Sequence, residues 1–325
     1  MSLDHKISVG IVGGAGYTAG ELMRILINHI DVDIQFLQSD SQVGKPITTI
    51  HKDLVGDTEM IFTDQLLPVD VLFLCRGHGA SKAFLEKTPI SADTKIIDLS
   101  HDYRLKSKGN DFVYGLPEAY RNEITNANKL ANPGCFATCI QLGLLPLAKK
   151  GKLNDSVHVT AITGSTGAGQ SLSETSHFSW RNNNVSVYKP FNHQHLDEIR
   201  QTLGDVQHEQ LPEINFIPVR GNFTRGIFAS IYLNSDLTPD EVNYIFIDYY
   251  KDHPFVNVTN ENPDMKQVVG TNKALVRVQK IENKVFVTCM IDNLIKGASG
   301  QAVQNMNLMF GLEETSGLRL KSIGF

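Results

Sequence analysis

Cysteine is scarce in this chain. Four thiols, at positions 75, 135, 139 and 289, are spread over 325 residues. They are too few and too scattered for a disulfide framework, so a reducing, cytoplasmic setting is expected, in which any special cysteine acts as a thiol. Long apolar runs are missing as well. No stretch approaches the ~18 residues of a membrane span, and the opening Met1-Ser-Leu-Asp-His-Lys-Ile lacks the apolar core of a signal peptide. Positive charge is not in excess. With 30 Lys+Arg against 35 Asp+Glu, a net charge of −5, nothing favours nucleic acid or an anionic membrane as a partner. Internal repeats and low-complexity segments are absent too. What is present is globular: 41% hydrophobic and 20% charged residues exclude a disordered chain. The length exceeds a typical single core, so two domains are expected, with a TIM-like barrel as the other way to use it.

The pattern along the chain supports two domains. Up to about residue 134, short continuous apolar runs (Ile7–Val12, Asp33–Leu37, Val69–Cys75, Lys95–Leu99) alternate with helical stretches such as Glu21–Ile27. Continuous runs mark strands buried on both faces, hence a doubly wound parallel sheet covered by helices. From Cys135 the pattern changes. A helix over Phe136–Lys149 is followed by longer, partly alternating strands at Val157–Thr163, Asn215–Val219, Gly226–Leu233, Ala274–Val278 and Val285–Cys289. These read as a mixed, largely antiparallel sheet in an α+β domain, with Glu241–Tyr250 as an inserted helix. The spacing of Ala302, Val303, Met306 and Met309 predicts a closing helix. The expected division is 1–134, completed by about 299–325, and a catalytic and dimerisation domain over 135–298.

Residues 10–21 read Gly-Ile-Val-Gly-Gly-Ala-Gly-Tyr-Thr-Ala-Gly-Glu. Gly13 and Gly16 carry the spacing of a dinucleotide-binding turn between a strand and a helix. Such a turn lets the backbone approach a diphosphate, and the helix N-terminus offers N–H groups and a partial positive charge. Tyr17 and Thr18 follow directly. A tight strand-to-helix turn without a ligand is the plainer alternative. After the second strand the chain reads Gln38-Ser39-Asp40-Ser41-Gln42-Val43-Gly44-Lys45. Ser39, Ser41 and Lys45 suit a 2′-phosphate, whereas Asp40 argues for a free ribose hydroxyl. The balance leans to NADP.

Asn132-Pro-Gly-Cys135 lies where the pattern changes. Pro and Gly break the chain and Cys135 opens the next helix, where the dipole favours thiolate and nucleophilicity. Cys139, one turn on, reads as a packed thiol. No comparable Cys/His pair stands elsewhere, so no metal is expected. Gly164-Ser165-Thr-Gly-Ala-Gly169 turns the chain or presents N–H groups to an oxyanion or phosphate. In His193-Gln-His195-Leu-Asp-Glu198, Asn192 or His193 is placed to cap a helix starting near His195. His195 and Glu198 then share a face, the spacing with which a carboxylate orients an imidazole base. A solvated helix start with two incidental histidines is the plainer reading.

These motifs together resemble the N-acetyl-gamma-glutamyl-phosphate reductase family, relatives of aspartate-semialdehyde dehydrogenase. The matching pieces are Gly13–Leu22, Ile97–Arg104, Val113–Glu118, Asn132–Cys135, Gly164–Gly169, His193–His195 with Glu198, Arg225-Gly226 and Asp292–Asn307. The resemblance implies a Rossmann-type cofactor domain and NADPH-dependent reductive dephosphorylation of N-acetyl-glutamyl 5-phosphate to the semialdehyde, in arginine synthesis. The long strands of the second domain can pair across a subunit interface, so a homo-oligomer, dimer or tetramer, is expected. Cys135 matches the catalytic cysteine, and the His-x-His segment supplies the acid/base; His195 is preferred over His193 because only it has Glu198 at orienting spacing. Arg104 and Arg225 are substrate-anchoring candidates, since guanidinium grips phosphate and carboxylate bidentately, and Ser165 is a further one. Asn305 is a candidate contact to the nicotinamide region. The sequence departs from the family at Ala19, at Asp40, and at Cys75-Arg-Gly-His-Gly79 in place of Leu-Pro-His-Gly. A related reductase acting on aspartyl or amino-adipyl phosphate, and a non-enzymatic nucleotide sensor that kept the fold, are the alternatives.

Overall fold

A computed structural model describes residues 6–77, 79–107 and 109–324; His78, in the loop quoted above, lies outside the described residues. Packing divides the chain into two units. One runs to Pro133 and takes up Ala298–Arg319; the other comprises Gly134–Gly297 and the residues from Leu320 on.

The first unit holds β1 (Ile7–Val12), β2 (Val32–Gln38), β3 (Phe62–Thr63), β4 (Val71–Leu74), β5 (Lys95–Asp98), β6 (Val113–Tyr114) and β7 (Lys129–Ala131). They form one seven-stranded sheet in the order β3-β2-β1-β4-β5-β7-β6, and every pairing is parallel. The helices are α1 (Tyr17–Leu26), α2 (Ala80–Lys87) and α3 (Pro117–Thr125). The C-terminal helix Gly300–Met309 packs on α1 and α3. Val9, Ile11, Val71, Phe73 and Ile97 are fully buried, as strands covered on both faces require. The chain runs outward from β1 in one direction through β2 and β3, and in the other from β4. That reversal is the switch point where open α/β sheets bind ligands, beyond the carboxyl ends of the strands.

The second unit holds β8 (Val157–Thr163), β9 (Ser186–Val187), β10 (Ile214–Arg220), β11 (Ile227–Asn234), β12 (Val256–Val258), β13 (Ala274–Ile281) and β14 (Lys284–Ile291). Their order is β12-β13-β14-β11-β8-β10-β9. The β8–β10 and β12–β13 pairs are parallel and the others antiparallel. The helices are α4 (Cys135–Lys149), α5 (Phe178–Arg181), α6 (His195–Gln207) and α7 (Pro239–Tyr250). Every residue of α4 from Phe136 to Ala148 is buried, which explains its continuous apolar sequence: it lies between α6 and the sheet, against β11 and β14.

The parallel and mixed sheets agree with the sequence reading, but element ends differ. Helix α1 starts at Tyr17 instead of Glu21, because Gly16 supplies an extended N-cap (φ −84°, ψ 166°) directly after the turn. The closing helix is shorter than anticipated. It is preceded by a π-helical turn, Ile295–Ser299, a wider winding that recurs at functional sites.

Candidate active site

In the first unit the glycine-rich turn follows β1. Gly13 has φ +82°, and a Cβ there would lie 2.8 Å from the Cys75 carbonyl oxygen. Only glycine fits both the left-handed backbone and the close approach. The N–H groups of Gly13 and Gly14 donate to the Gln38 carbonyl at 3.1 and 2.7 Å, so ligand contacts must come from the next N–H groups, in the first turn of α1. No side chain caps that helix and no acid stands in its first turn. An anion is the natural partner for such an end, and the turn therefore fits a dinucleotide diphosphate. The His51 ring supports it from below, with Nε2 2.7 Å from the Gly14 carbonyl oxygen. Tyr17 is partly exposed, and the Thr18 carbonyl accepts from Ser299 Oγ at 2.8 Å. Ala19, in the usual third-glycine position, is fully buried. Of the residues assigned to a 2′-phosphate, Ser41 and Lys45 are exposed beyond β2, whereas Ser39 is buried and is not presented to a ligand.

In the second unit Cys135 is the first residue of α4, again without a side-chain cap or an acid in the first turn. One carboxylate organises what surrounds it. Glu198 Oε2 accepts from the Gly134 N–H at 2.9 Å, and Oε1 lies 3.8 Å from His195 Nε2. The Glu198 carbonyl accepts from Gln141 Nε2 of α4 at 3.0 Å. Both His195 and Glu198 are buried; they are not a solvated helix start. His193 is buried among Phe136, Tyr188, Phe216 and the His195 ring. Its Nδ1 accepts the His195 N–H at 3.2 Å, so this imidazole, and not Asn192, serves the start of α6. Desolvation, helped by the Lys189 charge, pushes its pKa down from 6.5 to about 4. His193 is thus neutral near pH 7 and tied to structure.

The other cysteines pack. Desolvation raises Cys75 to about 12 and Cys139 well above the usual thiol range. Cys139 Sγ also donates to the Cys289 carbonyl at 3.3 Å.

Several anticipated ligand contacts are occupied by the protein itself. Arg225 forks onto Asp292, Nε to Oδ2 at 3.1 Å and NH2 to Oδ1 at 3.2 Å. Asp292 is fully buried and also accepts from the N–H groups of Gly270, Leu294 and Ile295. This cluster shapes the loop that carries Gly297. A Cβ on Gly297 would sit 2.8 Å from Cys135 Cβ, so the loop packs directly on the cysteine. Arg225 is held on that loop by the Asp292 carboxylate. Arg104 is buried, donating from Nε to the Asn132 carbonyl at 2.8 Å and from NH2 to the Leu99 carbonyl at 3.0 Å; it braces the end of β7. Asn305 is fully buried and donates to the Gly115 carbonyl and Asn132 Oδ1 at 2.8 and 3.2 Å. It braces the same segment. The N–H groups of Gly164, Ser165 and Thr166 donate to the carbonyls of Gly226, Phe223 and Thr224. The loop therefore turns the chain and does not offer those groups to an oxyanion.

The sequence reading passed over Arg220 and Tyr188. Arg220 ends β10 with its guanidinium 4.8 Å over the Tyr188 ring. Its Nε is buried without a hydrogen-bond partner. Desolvation and the nearby Cys135 charge push the Tyr188 hydroxyl up to about 12, which places this pair in the electrostatic neighbourhood of the cysteine. The available signal was an arginine followed by glycine at the end of an apolar strand.

Residues 8–127 match the family model described as semialdehyde dehydrogenase, NAD binding domain, and residues 135–293 the one described as semialdehyde dehydrogenase, dimerisation domain. The chain is 57% identical over 321 residues to an N-acetyl-gamma-glutamyl-phosphate reductase of Parabacteroides distasonis, covering 98% of this chain and 100% of the relative. In fold it is similar to aspartate semialdehyde dehydrogenase II of Vibrio cholerae complexed with ASA, with a TM-score of 0.74 at 16% identity, covering 95% of this chain and 99% of that one. It is similar too to aspartate semialdehyde dehydrogenase with NADP from Candida albicans, with a TM-score of 0.71 at 13% identity, covering 94% and 98%.

The lowered pKa of His193 predicts a pH dependence of stability. As pH falls from 6.5 towards about 4, the unfolded chain binds a proton that the folded chain declines. Folding stability should therefore decline through that window by about 3 kcal/mol from this residue. Denaturant midpoints against pH should show a shallower decline for His193→Gln; a slope identical to wild type would remove the assignment.

Proposed function

The chain belongs to the N-acetyl-gamma-glutamyl-phosphate reductase family of semialdehyde dehydrogenases, and we propose that it reduces N-acetyl-L-glutamyl 5-phosphate to N-acetyl-L-glutamate 5-semialdehyde with NADPH, releasing phosphate, in arginine synthesis. The observation that carries the reading is the Glu198 carboxylate, which touches both the Gly134 N–H and the His195 imidazole. A nucleophile's turn and an acid/base are thereby set by one group, the arrangement that covalent catalysis needs.

The sequence of steps follows from that chemistry. Cys135 Sγ, as thiolate, attacks the acyl-phosphate carbonyl carbon. A C–S bond forms, the C–O bond to phosphate breaks, and phosphate leaves with the electron pair. The transient oxyanion faces the uncapped N-terminus of α4, whose N–H groups and dipole stabilise negative charge. The thioester left on Cys135 is a good hydride acceptor. A dihydronicotinamide, held through its diphosphate by the glycine-rich turn and α1, supplies that hydride when bound. His195 gives a proton to the oxygen of the resulting thiohemiacetal and takes one back as the C–S bond breaks, which releases the aldehyde and restores the thiolate. Glu198 keeps the imidazole oriented. Arg104 and Arg225 are engaged elsewhere, so Arg220 is the arginine we assign to the anionic substrate. Four cysteines outside any disulfide fit a cytoplasmic enzyme.

The same unit supports a homodimer. Along its strands, buried residues such as Val159, Ala229 and Val287 alternate with half-buried Ile162, Phe228, Leu275 and Phe286. Ile162, Phe228, Met290 and Leu275 stand side by side across β8, β11, β14 and β13, with Phe286 further along the same face of β14, and a second copy of that face would cover them.

The reading is tested by phosphate-dependent reduction of NADP with N-acetylglutamate semialdehyde. Cys135→Ser should lose about 10³-fold or more in kcat, and His195→Asn about 10²–10⁴-fold. Activity surviving in the serine variant would sink the covalent route; a preference for aspartate semialdehyde would move the chain to a sister reaction. Arg220→Met should raise the KM for the semialdehyde by about tenfold with little change in kcat, and an unchanged KM removes its assignment. Analytical ultracentrifugation should give a dimer for wild type and monomer for Phe286→Arg; a wild-type monomer rejects the interface.

A further inference from the structure

Asp40 and Arg76 together form a feature that neither the fold nor the mechanism uses. Asp40 stands just beyond β2, where an acidic residue in a dinucleotide-binding domain takes the ribose 2′-hydroxyl and thereby selects NAD. In this chain its carboxylate is engaged on both oxygens. Oδ1 accepts from Gln38 Nε2 at 2.6 Å, and Oδ2 accepts from Arg76 NH2 at 2.8 Å. Arg76 follows β4, next to β1 in the sheet, and its backbone lies against the glycine-rich turn: a Cβ on Gly13 would be 3.1 Å from the Arg76 nitrogen. The guanidinium is also held over the Phe84 ring of α2, its Cζ 5.3 Å from the centroid. A cation is thus fixed from two sides beside the ribose end of the turn, with Ser41 and Lys45 exposed nearby in sequence.

We infer that Arg76, aimed by Asp40 and Phe84, is the residue that selects the 2′-phosphate of NADP over the free hydroxyl of NAD. The inference rests on the dinucleotide reading given above and deepens it. The carboxylate that by position argues for NAD instead acts as a support for the guanidinium. The Asp40 side chain is 69% exposed, so its ion pair is solvated and weak, and Arg76 can turn one edge of its fork to a phosphate without leaving a buried charge behind. Guanidinium binds phosphate bidentately, and stacking on an aromatic ring cuts the entropy lost in doing so. Cys75-Arg76-Gly77 places a cation at this point.

The test is direct binding of NADPH, NADH and 2′,5′-ADP by calorimetry to the full chain, for wild type, Arg76→Ala, Arg76→Lys and Asp40→Asn. Wild type should bind NADPH and 2′,5′-ADP. Arg76→Ala should weaken both at least tenfold while leaving NADH unchanged, and Arg76→Lys should recover part of the loss. Asp40→Asn should keep the NADPH preference and leave NADH binding unaltered. If Arg76→Ala weakens NADPH and NADH alike, or neither, the inference is overturned. If Asp40→Asn selectively weakens NADH, Asp40 binds the ribose and the inference is also overturned. Failure of wild type to bind any of the three would instead overturn the dinucleotide reading itself.

Discussion

A buried carboxylate is costly unless its oxygens are engaged, and Glu198 is buried. It meets that demand with two groups far apart in sequence: the Gly134 N–H, one residue before the cysteine, and the imidazole of His195. The arrangement around Cys135 follows from this. Because α4 is buried on all sides, its first turn has little freedom, and Glu198 couples that rigid start to the first turn of α6. His193 then fixes the other side by accepting the His195 N–H while staying neutral in an aromatic surround. The neighbouring histidines therefore have different environments and different work. One is a neutral packing group, and the other faces a carboxylate.

The same demand for satisfied polar groups explains how the arginines are used. Arg104 and the Arg225–Asp292 pair are engaged with carbonyls and a buried carboxylate. Truncating either would leave unpaired groups inside, which costs more than the contacts themselves contribute. They hold segments in chain positions next to the cysteine: Asn132, three residues before it, and the loop bearing Gly297, which packs on its Cβ. Arg104 and Arg225 thus shape backbone, and Arg220, whose Nε has no hydrogen-bond partner, is the arginine proposed above for the anion.

This division marks what can be read from sequence. The doubly wound sheet was legible because Ile7–Val12 and Val71–Leu74 are continuous apolar runs, and the mixed sheet because β8 and β11 alternate. The start of α4 was legible because Pro133 and Gly134 break the chain just before an apolar helix. His195 and Glu198 could be paired because helical spacing is local. The partners of Arg104, Arg225 and Asn305 could not be foreseen. Their partners lie from 5 to 190 positions away, and a guanidinium carries no local mark of what it will face. The Gly164–Gly169 loop stayed ambiguous for a related reason: a glycine-rich string looks the same whether its N–H groups meet a ligand or, as here, carbonyls of the loop before β11. Asp40 left the cofactor reading divided because its position was read without Arg76, which reaches it from another strand's end.

Helix starts extend the argument to the whole chain. Where the fold alone requires a helix to be closed, the closure is thorough: Thr238 and Glu241 form a reciprocal capping box at α7, and Asp102 accepts from Gly79 and Lys82 at the start of α2. Helices α1 and α4 differ from both. Each begins after a glycine N-cap in extended conformation, with no side-chain cap and no acid in its first turn. Leaving a cap out costs about 1 kcal/mol, and a nearby carboxylate would relieve it. In a chain with an excess of acids, neither first turn carries one of its own: α1 keeps its positive end beyond the glycine-rich turn, while at α4 a single carboxylate, Glu198, stands on the Gly134 N–H just ahead of the cysteine. A net-acidic protein can in this way receive an anionic cofactor and develop an oxyanion without a surface rich in lysine.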